Sequence, residues 1–243
     1  MYDYTDKLRR YMPFNSSEIK AIFLTIVFMT FIVAFNDHND TFKMADWTSN
    51  FLMWLFIVGT AVIIKQVGHR MIGLAYGFRV EYQLWWYGLL AGVLLALVTR
   101  SHIWLLIPGG IMIHHMAVHR LGWFRYGTNM GTLSMIALWG PLANILFGSF
   151  IKILQTWFNA FPAESAFVYN LFLFNFAFAT FSMLPIPPLD GSKVFFDSRY
   201  AWGWFFGAMV VFTILAMMNT FMFINLIILM FILVIYYFTM LQN

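Results

Sequence analysis

The sequence predicts an all-α polytopic membrane protein of six to seven transmembrane helices, with one re-entrant or hairpin segment. Of the 243 residues, 62% are hydrophobic and only 10% are charged, against roughly 45–50% and about 25% in a soluble domain. The apolar residues gather in runs close to the roughly 20 residues that a helix needs to cross a bilayer. The charged residues fall almost wholly between those runs. The length suits one domain, with residues 1–18 as a cytoplasmic polar tail and 19–243 as a single transmembrane domain.

Residues 1–18 carry Asp3, Asp6, Lys7, Arg9, Arg10 and Glu18 and end in Asn15-Ser16-Ser17-Glu18, a helix N-terminal signal. The first span, Ile19 to Phe35, follows this tail with no small-residue cleavage site after it, so a retained helix is expected, not a signal peptide. A second run, Phe51 to Ile64, continues in helical pattern to about Phe78. A third, Leu84 to Val98, closes at Arg100. The run from Ile103 to Ile113 is broken by Pro108-Gly109-Gly110, and such a segment cannot span as a regular helix. It is expected to be re-entrant or extended, packed against protein that satisfies its backbone. Residues 114–131 read as a loop or hairpin. The fourth span, Leu133 to Ile153, contains GPLAN; the fifth, Ala166 to Leu184, runs into PIPPLDG. Residues 200–243 carry no charge and are long enough for a C-terminal helix pair turning at Met218-Asn219-Thr220.

Lys and Arg near the span ends place the N-terminus in the cytoplasm, since Lys7, Arg9, Arg10 and Lys20 outnumber Lys43 in the next loop. The net charge of +4 comes without any Lys/Arg run, which argues against a nucleic-acid partner. With no cysteine, thiolate metal sites and cysteine nucleophiles are excluded.

Lys65, Arg70 and Asp190 stand out because each ends an apolar run. An ionisable group at membrane depth costs about 2.5–3.5 kcal/mol even on lenient scales and calls for a partner. Lys65 with Asp190 is the pair to test. The segment SMLPIPPLDGSKVF, with Ser182, Pro185, Pro187, Pro188, Leu189, Asp190 and Gly191, resembles the Asn-x-x-Pro…Leu-Asp-Gly motif of the site-2 proteases, the intramembrane zinc metalloproteases. Gly140, Pro141 and Asn144 of GPLAN are similar to that family's Gly-Pro-x-x-Asn. The motif order agrees, and the resemblance covers about residues 51–199.

The resemblance implies a zinc ion held by the two His of a helical H-E-x-x-H and by the Asp of Leu-Asp-Gly, with the Glu as general base. Here the helix reads Lys65-Gln66-Val67-Gly68-His69. His69 matches the second ligand and Asp190 the third. Lys65 stands at the first His, Gln66 at the base and Ser182 at the motif Asn. An amide is no general base, and lysine coordinates only after losing a proton that it normally holds up to about pH 10.4. The charge count stays balanced: Zn²⁺ with two carboxylates sums to zero, as does the Lys65 ammonium with Asp190. Lys65 is therefore expected to occupy the zinc position as an internal cation, with His69 nearby and no cofactor bound.

Plainer readings stand beside these. Lys65 can snorkel to the interface, Asp190 can cap a turn, and Gly140 and Pro141 can serve close helix packing. His114, His115 and His119 can belong to a cationic loop with Arg120 and Arg125, or to a relocated metal site. The leading functional expectation is an inactive pseudoprotease that still binds a transmembrane segment within the lipid bilayer. The alternative is an active zinc protease using His69, Asp190 and a further donor, either deprotonated Lys65 or a loop histidine. A transporter or channel is a third class, and the outer halves of the spans offer it few polar residues.

Overall fold

The computed structural model describes residues 2–36, 43–115, 129–158, 160–162 and 165–217. The segment expected as a polar tail contains helix α1 (Tyr2–Tyr11), which leads by a short turn into α2 (Ser16–Ala34). Asn15 caps α2, and the Glu18 carboxylate accepts the Asn15 N–H at 2.9 Å. This is the reciprocal capping box that the Asn15–Glu18 signal predicts.

Helix α3 (Met44–Ala75) starts earlier than expected and does not reach Phe78. Gly77 adopts φ +82 and turns the chain, a conformation open to glycine at little cost. Phe78–Leu84 then forms strand β1, with Phe78, Val80 and Tyr82 buried on alternate positions. Gly73 on α3 leaves the space that the strand fills, since a Cβ there would lie 2.4 Å from Val80 Cγ2.

Helix α4 (Trp86–Thr99) ends as expected at Arg100, which sits in the left-handed region at φ 50 with Ser101 following at φ 56. For residues with a Cβ this costs roughly 1–2 kcal/mol each. Ser101 is held there by its hydroxyl, which donates to the Ile32 carbonyl at 2.7 Å, and by its N–H on Ala96. The run expected to be re-entrant or extended is irregular up to Pro108 and then forms strand β2 (Gly109–His115). It pairs antiparallel with β1, Tyr82 opposite Ile111. The expectation of an all-helical protein is corrected to this extent: the two strands satisfy backbone groups that the Pro-Gly-Gly break denies to a helix.

Helices α5 (Met130–Trp157), α6 (Ala166–Ser182), α7 (Asp190–Asp197) and α8 (Arg199–Met217) complete the described chain. Two cores result. One joins α5, α6, α7 and α8 with the inner face of the strands; the other joins α2, α3, α4 and α6. Helix α6 serves both because its phenylalanines alternate: Phe172 and Phe176 face the first, Phe174 and Phe178 the second, each pair an i, i+4 step on one helical stripe. Helices α2, α3 and α5 are long and apolar enough to cross a membrane; α4, α6 and α8 are shorter apolar helices. The loop or hairpin expected over 114–131 and the second helix of the C-terminal pair fall mostly outside the described residues.

Candidate functional site: a buried lysine–aspartate centre

The site lies where α3, α5, α6 and α7 meet. Its first requirement is close backbone approach. Gly68 on α3 faces α5 so tightly that a Cβ would stand 2.7 Å from Ala143 Cβ and 2.8 Å from the Trp139 carbonyl. Gly140 is the cradle of the His69 ring, since a Cβ there would meet His69 Nε2 at 2.1 Å. Pro141 removes one N–H from the α5 ladder. Close by, the Ile136 carbonyl lies 2.9 Å from His69 Nδ1. A carbonyl only accepts, so Nδ1 carries the proton and Nε2 is turned into the site. This is how metal-ligating histidines are commonly oriented.

The LPIPPLDG segment positions the acid. Gly191 lets the start of α7 press on the end of α6, where a Cβ would meet the Met183 carbonyl at 2.0 Å. The indole N–H of Trp202 donates to that same carbonyl at 2.8 Å. Leu189, fully buried, donates its N–H to the Ile186 carbonyl across the prolines. On the other side the Pro188 carbonyl abuts the Gly110 backbone of β2, where a Cβ would come within 2.0 Å. Pro188 thus packs on the strand pair, while Pro185 and Pro187 are exposed. Asp190 opens α7 with no solvent exposure, at the helix end where a negative charge is favoured.

The structure brings Lys65 and Asp190 together. Lys65 Nζ lies 2.8 Å from Asp190 Oδ2, donates to Ser182 Oγ at 2.7 Å and sits 4.8 Å from the Phe178 ring centroid. The ammonium is thereby surrounded by a carboxylate, a hydroxyl and an aromatic face, and the snorkelling reading fails: the side chain is 4% exposed. Ser182 spends its own hydrogen on the Phe178 carbonyl, so its oxygen is left to accept from Lys65. His69 Nε2 stands 3.3 Å from the same Asp190 Oδ2, while Oδ1 has no hydrogen-bond partner. Gln66 is buried beside them on α3. Asn144 is fully buried with neither amide atom hydrogen-bonded.

Arg70, the third conspicuous charge, does something else. Its guanidinium pairs with Glu18 at 2.5 Å, donates to the Met12 and Pro13 carbonyls and lies over the Phe14 ring. Glu18 in turn accepts the Tyr82 N–H at 3.0 Å. Tyr82 is absent from the sequence expectations, and Glu18 enters them only as part of the helix N-terminal signal. The signal available for its pairing with Arg70 was its place at the start of the first apolar run, with Arg70 near the polar end of α3. His114 lies on β2, half exposed, 3.8 Å from Glu81; His119 and the His115 side chain lie outside the described residues.

The donor set does not fit a catalytic zinc. Three protein ligands and a base are needed, and one imidazole and one carboxylate are present beside an ammonium and an amide. Among the described residues, no group of three or more His, Asp or Glu is placed to hold a metal ion. The separation of His69 Nε2 and Asp190 Oδ2 is nonetheless what two ligands of one tetrahedral zinc would show, about 3.3 Å for bonds near 2.0–2.1 Å.

Comparison with known proteins finds the chain 29% identical over 193 residues to a protein of Methanocaldococcus jannaschii named "Putative zinc metalloprotease", covering 78% of this chain and 90% of that one. No protein-family model matches the chain, and no solved structure matches it.

Proposed function

We propose that this chain is a site-2-protease-type membrane protein in which a lysine–aspartate pair has replaced the catalytic zinc, leaving a pseudoprotease that binds or regulates transmembrane segments. The observation that carries the reading is the Lys65 ammonium on Asp190 Oδ2 at 2.8 Å, at the position where the resemblance puts the first histidine. The relative's printed name supports a metalloprotease-like ancestry. So do the Nδ1-anchored His69 and the glycine cradle that fits it, both features that a metal ligand needs. The PIPPLDG segment then lines a groove for an unwound segment. Six to seven spans follow if α4, α6, α8 and residues 218–243 cross the bilayer as well, with the N-terminus in the cytoplasm.

An active zinc protease is the second reading, favoured by the spacing of His69 and Asp190. The test is cleavage of transmembrane peptides by the purified protein in bilayers, with and without added zinc. No cleavage is expected in either condition. Cleavage that stops with a chelator and with His69→Ala contradicts the proposal.

A further inference from the structure

Helix α1 separates its charges along its length. Asp3 and Asp6 lie in its first half, whereas Arg9 and Arg10 form its last turn, the end of a helix where cations are favoured. Both arginines are exposed, while Leu8 and Tyr11 beside them are half-buried. Lys20, in the first turns of α2, is exposed as well. The remaining carboxylate of this segment does not cancel these charges. Glu18 is buried, held by Arg70 and by the N–H groups of Asn15 and Tyr82.

The fold fixes where this basic end stands. Only the turn Met12–Asn15 separates α1 from α2. Arg70 donates to the Met12 and Pro13 carbonyls and lies over the Phe14 ring, so that turn is pinned to α3. On α2, Ile19 and Phe23 are 55% and 63% exposed and, four residues apart, share one face. With α2 in a bilayer this face meets hydrocarbon from about Ile19 onward, and Lys20 beside it reaches back to the headgroups. The last turn of α1 is held at the same level. We infer that the end of α1 and the start of α2 form a binding surface for anionic phospholipid headgroups, with Arg9, Arg10 and Lys20 facing the phosphates. Basic clusters next to a membrane helix draw acidic lipids, each cation adding to the attraction and salt screening it. None of the three belongs to the Lys65 centre, so the surface is independent of the proposed function.

The chain has no cysteine, so Thr5→Cys, an exposed position one turn before Arg9, takes a single donor fluorophore. The labelled full chain is reconstituted in phosphatidylcholine vesicles with a trace of acceptor-labelled phosphatidylglycerol or, in parallel, of acceptor-labelled phosphatidylcholine. Energy transfer is expected to report a several-fold higher acceptor density around the label for phosphatidylglycerol at low salt. The excess is expected to vanish at high salt, and in Arg9→Gln combined with Lys20→Gln. Arg100→Gln is expected to keep it, since Ser101 next to it is bonded to Ile32 at the far end of α2. Equal transfer to the two lipids in the otherwise unmodified chain overturns the inference, as does an excess that the double substitution leaves intact. The salt titration decides the outcome even where the double variant does not reconstitute, because an excess that salt leaves unchanged overturns the inference too.

Discussion

At the scale of single residues, the question is why a lysine is tolerated where no water reaches. Its three hydrogens meet Asp190, Ser182 and the Phe178 face, so the charge is neutralised and solvated by protein. A buried pair need add no stability, yet removing one member leaves the other unpaired at a cost of about 3–5 kcal/mol. Lys65→Met is therefore expected to lower the unfolding midpoint in detergent sharply, and Lys65→Met combined with Asp190→Leu to recover most of the loss. A double variant no more stable than the single one contradicts the pairing. The same geometry predicts a gain. With Lys65→His and Gln66→Glu together, the helix carries H-E-x-x-H against a ready third ligand, and the chain is expected to take up about one zinc ion, lost again on His69→Ala. Metal analysis by mass spectrometry reads both results. Gly140→Ala tests the cradle. Its new Cβ would stand 2.1 Å from His69 Nε2, and overpacking of this kind costs about 1–3 kcal/mol.

At the scale of elements, the Arg70–Glu18 pair fastens three pieces together: the turn at Met12–Phe14, the start of α2 and strand β1. Arg70→Met leaves Glu18 buried without its cation, and the loss is expected to free the first fifteen residues for protease cleavage while the rest of the chain stays resistant. Equal resistance in the variant and the unmodified chain would show that the pair fastens nothing. This element also marks where sequence reading stops. The capping box at Asn15 and the stop at Arg100 are local events written in a few adjacent residues. Strand β1 is not. FRVEYQL follows a helical pattern without a break except Gly77, and only its partner β2, some thirty residues on, makes it a strand. Helix α1 is hidden in the same way, because polar composition alone does not distinguish a helix from a solvated tail.

Across the whole molecule, the legible part is the motif order. Lys65, His69 and Asp190 lie more than a hundred residues apart at the extremes, and converge because α3, α6 and α7 meet behind the GPLAN stretch of α5. Composition announces a membrane protein, and the resemblance locates the centre. What no pattern in the chain announces is that Ser182 accepts from Lys65, or that Gly110 of β2 packs on Pro188, since both depend on three-dimensional juxtaposition. The orientation is open to a direct check: a tag at the N-terminus is expected to be reached by probes from the cytoplasmic side only, as the Lys and Arg distribution predicts. The most direct test of the account is the zinc content of the unmodified protein, purified without chelator and measured together with His69→Ala and Asp190→Asn. The account predicts far less than one zinc per chain, unchanged by either substitution. About one tightly held zinc per chain, lost in both variants, would contradict it.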